Sequence, residues 1–218
     1  SCEFVGHPLL ENRVEDKIDI NQFVGKNKAL FSIFAGSRIS EINVLMPIFL
    51  NFIKYMEKKY NDITYVFHST KAHKDLIHSY IKNSNTLNCE VVSDDKLKGH
   101  LLKKSIFAIA KSGTVSLEIC NAKIPSIIVY KMNLINFLIV KMLVKIKYAN
   151  IINIAAKEEI IPELLQSKCN SKNIYNEVSK FLDTPSLVEE QVRKTQTILN
   201  QFKTSKSPSE QTSEALNK

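Results

Sequence analysis

Cysteine is sparse and scattered in this chain. Cys2, Cys89, Cys120 and Cys169 form no CxxC pair, and no histidine stands at metal-ligand spacing from any of them. Neither a disulfide framework nor a zinc site is expected. Cys89 and Cys120 lie in apolar segments and read as reduced core residues, which fits a cytoplasmic compartment. No run of about 18 apolar residues occurs, so no segment is long enough to cross a bilayer as a helix. No secretory-signal pattern is found. The GxGxxG, Walker-lysine, HExxH, GxSxG and paired-carboxylate patterns are missing too. That argues against dinucleotide, P-loop, zinc-hydrolase and α/β-hydrolase chemistry. No cofactor or metal is called for, and there is no internal repeat.

What is present fits one α/β domain with a sizeable core. The 218 residues are 44% hydrophobic and 24% charged, ordinary values for a globular protein. The formal net charge of +8 favours an anionic partner: nucleotide, phospholipid headgroup or nucleic acid. Nucleic acid ranks last, because no aromatic residues interleave with a basic surface. The sequence begins Ser1-Cys2-Glu3-Phe4 without an initiator Met, and upstream sequence is expected.

Short apolar runs alternate with longer amphipathic ones, the pattern of βαβ units around a parallel sheet. Strands are predicted at 30–34, 63–67, 89–92, 106–110 and 126–130. The first helix is predicted over 40–59, where Ile42, Leu45, Phe49, Phe52, Ile53 and Met56 recur at i, i+3, i+4 spacing. Further helices are predicted over 72–82, 95–104, 115–122 and 134–144, then 158–166, 171–182 and 186–202. Pro185 supplies a stop and Ser186 the next N-cap. The Ser-, Thr- and Lys-rich residues 203–218 read as a disordered tail. The stretch Met132–Tyr148 mixes apolar residues with Lys141, Lys145 and Lys147. It reads either as an interfacial helix or, better given its shortness, as a core or interdomain helix.

Two small-residue turns follow predicted strands. Ala35-Gly36-Ser37-Arg38 lets the chain bend sharply, with Ser37 expected to cap the next helix and Arg38 adding a full positive charge to its N-terminus. Lys111-Ser112-Gly113-Thr114 opens a helix carrying Glu118, a carboxylate suited to a sugar's hydroxyls. Alone, each also reads as an ordinary strand–helix turn. In a doubly wound sheet, however, loops at the carboxyl ends of the strands line one crevice, so both would face the same ligand. A nucleotide sugar is the expected ligand. Asn153, between Ile152 and Ile154, must find a hydrogen bond to backbone or ligand. His7, between Gly6 and Pro8, reads either as a catalytic or ligand-orienting imidazole or, more commonly for a histidine in such a turn, as a surface or packing residue; His68, His73, His78 and His100 read as structural.

The motifs stand in a telling order: Gly6-His7-Pro8-Leu9, Gly36-Ser37-Arg38 with Glu41-Ile42, Ser112-Gly113-Thr114 with Leu117-Glu118, Tyr130-Lys131, Leu143-Val144-Lys145, Tyr148, Asn153, and Ile161-Pro162-Glu163-Leu164-Leu165-Gln166. From about Phe4 to Phe202 the chain resembles the lipid-A-disaccharide synthase family. The resemblance implies a GT-B fold, of which this chain would be the donor-binding half: a Rossmann-like doubly wound parallel sheet followed by C-terminal helices. It implies residues 1–28 as an entry segment from a missing N-terminal half, 29–202 as the UDP-sugar-binding domain and 203–218 as the tail.

The implied reaction is metal-independent and inverting. It condenses UDP-2,3-diacylglucosamine with 2,3-diacylglucosamine 1-phosphate, releasing UDP, at the cytoplasmic face of the inner membrane. Ser37, Arg38, Ser112, Gly113 and Thr114 would face the diphosphate and Glu118 the ribose, with Asn153 and Gln166 close to the cleft. The general base is expected in the missing half, leaving this chain without turnover by itself. Either that half or a second copy is the implied protein partner. A non-catalytic nucleotide- or membrane-binding remnant is the alternative. The family's usual Asn-Leu-Leu-Ala-Gly-Arg is Asn153-Ile154-Ala155-Ala156-Lys157-Glu158 here, and its Tyr-Arg is Tyr130-Lys131, which keeps the charge but loses the bidentate fork.

Overall fold

The computed structural model describes residues 20, 29–86, 88–111, 113–132, 147–202, 209, 212 and 213. Ser112, His7 and the rest of the Gly6–Leu9 motif, Cys2, the predicted helix over 134–144 with its Leu143-Val144-Lys145 motif, and most of 1–28 and 203–218 lie outside them.

Six parallel strands form the sheet: β1 (Ala29–Phe34), β2 (Ile63–His68), β3 (Cys89–Val92), β4 (Ser105–Lys111), β5 (Ser126–Tyr130) and β6 (Glu163–Leu165). Their order is β3-β2-β1-β4-β5-β6, a doubly wound sheet that reverses direction of growth between β1 and β4. The connecting helices are α1 (Ile39–Met56), α2 (Lys74–Ser84), α3 (Asp95–Lys104), α4 (Val115–Asn121), α5 (Ile151–Ala156), α6 (Ser171–Asp183) and α7 (Pro185–Asn200).

Period-two alternation sorts the strand residues between two covered faces. Phe31, Ile33, Tyr65, Phe67, Phe107, Ile109, Ile127 and Val129 pack with Ile42, Phe49 and Phe52 of α1, Ile77 of α2 and Val178 of α6. The intervening residues Phe34, Ala108, Ala110 and Ile128 pack with Leu117 and Cys120 of α4, Ile152 of α5 and Leu199 of α7. Leu30 and Val66 meet Leu97 and Leu101 of α3. The six residues of the apolar stripe named for the first predicted helix are all buried. Pro47, inside that helix, sits on its exposed side, where the missing N–H costs least.

The predicted helix over 158–166 does not form. Pro162 disfavours helix in the residue before it and cannot donate a helical bond. Its carbonyl instead accepts from the Ile128 N–H at 2.9 Å, which starts the β5–β6 ladder. Asn153 Oδ1 takes the N–H groups of Ile160 and Ile161, both at 2.9 Å, so those donors are lost to any helix. The short helix α5 just before was not predicted. The last helix starts one residue early: Thr184 is its N-cap and Pro185 its first residue, where a proline fits, so Ser186 is not the cap. Among the described residues no helix is long and apolar enough to cross a membrane.

Candidate functional site

A cavity of about 300 Å³ opens at the carboxyl ends of β1, β2 and β4, where the strand order reverses. Gly36 and Ser37 of the first turn and Gly113, Thr114 and Glu118 of the second all line it. The two turns are thus brought to one ligand-sized space.

In the first turn, Gly36 has φ +107°, which only glycine adopts without strain. A Cβ there would also lie 2.5 Å from Glu41 Oε2 and 2.9 Å from Glu41 Cβ. Glu41 therefore sits tight against the bend. Its Oε2 accepts from the Ser37 N–H at 3.2 Å, and its Oε1 is 3.0 Å from Lys111 Nζ and 3.6 Å from Arg38 Nη1. Burial pushes the Glu41 carboxyl up, but Lys111 and the Ser37 and Arg38 backbone N–H groups outweigh it and hold it below the usual carboxylate range. A carboxylate in the first turn of an 18-residue helix also meets the positive end of its dipole. His73 Nε2 donates to the Ser37 carbonyl at 3.0 Å and pins the turn from the α2 side.

Ser37 does not cap α1. Arg38 is the N-cap residue, with no side-chain cap bond, and Glu41 supplies the polar contact from three residues on. The Arg38 side chain is 78% exposed and is not among the residues that line the cavity.

On the other wall, Glu118 Oε2 pairs with Lys98 Nζ of α3 at 2.8 Å, both side chains about three-quarters buried. Lys111 lies over the Tyr130 ring at 5.0 Å. The lining holds two cations, Lys98 and Lys111, and two carboxylates, Asp95 and Glu118. An entering anion finds both cations already neutralised by neighbouring carboxylates, so it competes for them and need not bring new charge into a bare site. Sequence reasoning missed Glu41, Lys98 and Lys111 as site residues. The legible signal was Glu41 at the second position of the predicted helix, three residues after Arg38.

Asn153 and Gln166 are not among the lining residues. Asn153 is fully buried; its Nδ2 donates to the Ile161 carbonyl (2.7 Å) and to Glu163 Oε1 (2.8 Å). It clamps the segment that leads into β6. Glu163 in turn accepts from the N–H groups of Ala149 and Asn150. Gln166, at φ +52° after β6, accepts from the Met132 N–H at 3.4 Å through its side-chain oxygen. Lys157 and Glu158 are exposed and do not line the cavity, and Glu158 pairs with Lys194 at 2.7 Å. Burial pushes the Cys89 and Cys120 thiols up to about 12 and the Cys169 thiol to about 11, so none is a nucleophile at neutral pH. Among the described residues no group of histidines, cysteines and carboxylates is arranged to hold a metal ion.

The family model described as lipid-A-disaccharide synthetase matches residues 1–216. The chain belongs to the lipid-A-disaccharide synthase family. Lipid-A-disaccharide synthase of Rickettsia prowazekii is 34% identical over 214 residues, 95% of this chain and 56% of that protein. The chain thus spans about half the length of the curated relatives it matches. Among solved structures, the C-terminal domain of a group 1 family glycosyl transferase from Francisella tularensis aligns with a TM-score of 0.54 at 13% identity, covering 86% of this chain and 94% of that one. UDP-GlcNAc 2-epimerase from Neisseria meningitidis, bound to UDP-GlcNAc, aligns with a TM-score of 0.53 at 15% identity, covering 79% of this chain and 40% of that one. These likenesses establish the Rossmann-like α/β fold. Lys157 caps α5 in the left-handed region at φ +55°. A helix C-cap in that region favours glycine, and lysine occupies it at a conformational cost.

Proposed function

We propose that this chain is the donor-binding half of a lipid-A-disaccharide synthase. It holds the UDP moiety of UDP-2,3-diacylglucosamine while the 6-hydroxyl of 2,3-diacylglucosamine 1-phosphate attacks the anomeric carbon. The observation that carries this reading is that two glycine-containing strand–helix turns, with Glu118, line one cavity at the reversal point of the sheet.

In the proposed site the α1 N-terminus, Ser37 and the Gly113–Thr114 backbone face the diphosphate. Lys111 and Lys98 turn from their carboxylates toward the phosphates as charge builds on the departing UDP, and Arg38 adds to the field from outside the lining. Glu118, released from Lys98, accepts the ribose hydroxyls. The attacking hydroxyl loses its proton to a base as the new C–O bond forms, and UDP leaves with the electrons of the old one. None of the described cavity residues is assigned as that base. Peripheral contact with the cytoplasmic face of the inner membrane belongs to the same proposal. It is supported by the +8 charge and by the acyl chains of the proposed substrates.

Isothermal titration with UDP tests it. Binding is expected, weakened about tenfold or more by Glu118→Ala and several-fold by Arg38→Ala. No heat at millimolar UDP, with Arg38→Ala behaving like the parent, refutes it.

A further inference from the structure

One polar group of the cavity lining is buried without a partner. His68 ends β2, is 4% exposed, lines the cavity and lies flat on Phe34, with ring centroids 4.3 Å apart and planes 9° apart. Its proton position follows from a chain of hydroxyls behind it. Ser105 Oγ donates its single hydrogen to the Leu101 carbonyl at 2.9 Å. Ser32 Oγ, 2.7 Å away, must therefore donate to Ser105 Oγ. With its own hydrogen so used, Ser32 Oγ accepts from His68 Nε2 at 2.9 Å. Nε2 carries the proton. Burial, with the positive charge of Lys98 nearby, drives the imidazole pKa down to about 3, so the ring is neutral. Nδ1 is then a bare acceptor on the far side of the ring from Ser32, buried and without a hydrogen-bond partner among the described residues.

We infer that His68 Nδ1 accepts the imide N–H of the nucleotide's pyrimidine and is the residue that selects uracil over cytosine. The inference rests on the nucleotide reading above. If Glu118 takes the ribose diol, the base N3–H is the one donor left on a uridine diphosphate. Uracil presents a hydrogen at N3, and cytosine presents a lone pair there. A fixed acceptor bonds the first and opposes the second, and a buried polar group left unmatched discriminates strongly. The Phe34–His68 stack also gives the cavity an aromatic floor. Nδ1 itself is covered, so the base reaches it only if the wall beside it shifts. Lys98 belongs to that wall, and ribose engagement of Glu118 competes with the pair that holds it.

The test is calorimetric affinity for UDP and CDP in the full chain, His68→Phe and Ser32→Ala. The parent is expected to favour UDP at least tenfold. His68→Phe keeps a stacking ring but should bring the ratio to within about threefold of unity. Ser32→Ala lies outside the cavity lining but removes the acceptor that fixes the tautomer, and it should shrink the ratio several-fold. A parent that binds both equally, or a ratio unchanged in His68→Phe, overturns the inference while leaving nucleotide binding intact. A parent that binds neither defeats the nucleotide reading and this one with it.

Discussion

Replacing Gly36 with alanine probes the bend on which the cavity depends, and the structure separates its cost into two parts. At φ +107° an alanine pays a backbone penalty of about 1–3 kcal/mol, whatever surrounds it. The new Cβ also meets Glu41 Oε2 at 2.5 Å and Glu41 Cβ at 2.9 Å, contacts closer than packed atoms tolerate. Relieving them moves Glu41 off the Ser37 N–H and away from Lys111, adding an overpacking cost of about 1–3 kcal/mol. Gly36→Ala should therefore destabilise the chain by about 2–6 kcal/mol in urea unfolding. In a Glu41→Gly background only the backbone part should remain, so a double-mutant cycle should return a coupling of about 1–3 kcal/mol. Equal costs of Gly36→Ala in both backgrounds would refute the contact and with it the packed Glu41–turn arrangement.

Other expectations follow from the same geometry. Asn153→Ala takes the side-chain partner from two backbone N–H groups and a carbonyl and removes one of the donors to Glu163, and should cost about 3 kcal/mol or more in urea unfolding. Lys157→Gly relaxes a left-handed helix cap and should stabilise by about 1 kcal/mol, raising the thermal midpoint. For His68 the folded pKa of about 3 lies below the unfolded value of 6.5, so the unfolded chain binds one more proton between them. Stability should fall with acidification across that window by about 1.4 kcal/mol per pH unit, and this slope should be lost in His68→Phe and so appear as the difference between parent and variant. Glu41 titrates below its ordinary value, so its contribution is full above about pH 4.5 and is lost as pH falls through the lower folded value. Lys111→Met should weaken that acid dependence, measured by chemical unfolding between pH 5 and about pH 3.

Much of the fold was legible because each strand is a short apolar run flanked by turn formers, and each long helix repeats its apolar residues at one spacing. Five strands and α1, α3 and α4 lie within a residue or three of their predicted limits for that reason. The segment around Pro162 was misread because Ile160, Ile161, Leu164 and Leu165 show a helix-like spacing. What decides it is a side chain elsewhere, Asn153, taking two of its N–H groups, together with pairing to β5. The two turns of the site were visible as small residues after strands. Their electrostatics were not, since Lys98 and Glu118, or Lys111 and Glu41, meet only once α1, α3, α4 and β4 are assembled. His68 read as structural because the tautomer that leaves its Nδ1 bare is set by Ser32 and Ser105, which the parallel register of β1, β2 and β4 brings beside it.

The joint grip of both turns on one nucleotide is tested most directly by following backbone amide resonances during a UDP titration. The N–H signals of Ser37, Gly113 and Thr114 should shift together on a single saturating isotherm, with the Glu118 neighbourhood moving alongside. Shifts confined to one turn, or two turns responding with different affinities, would contradict a shared site.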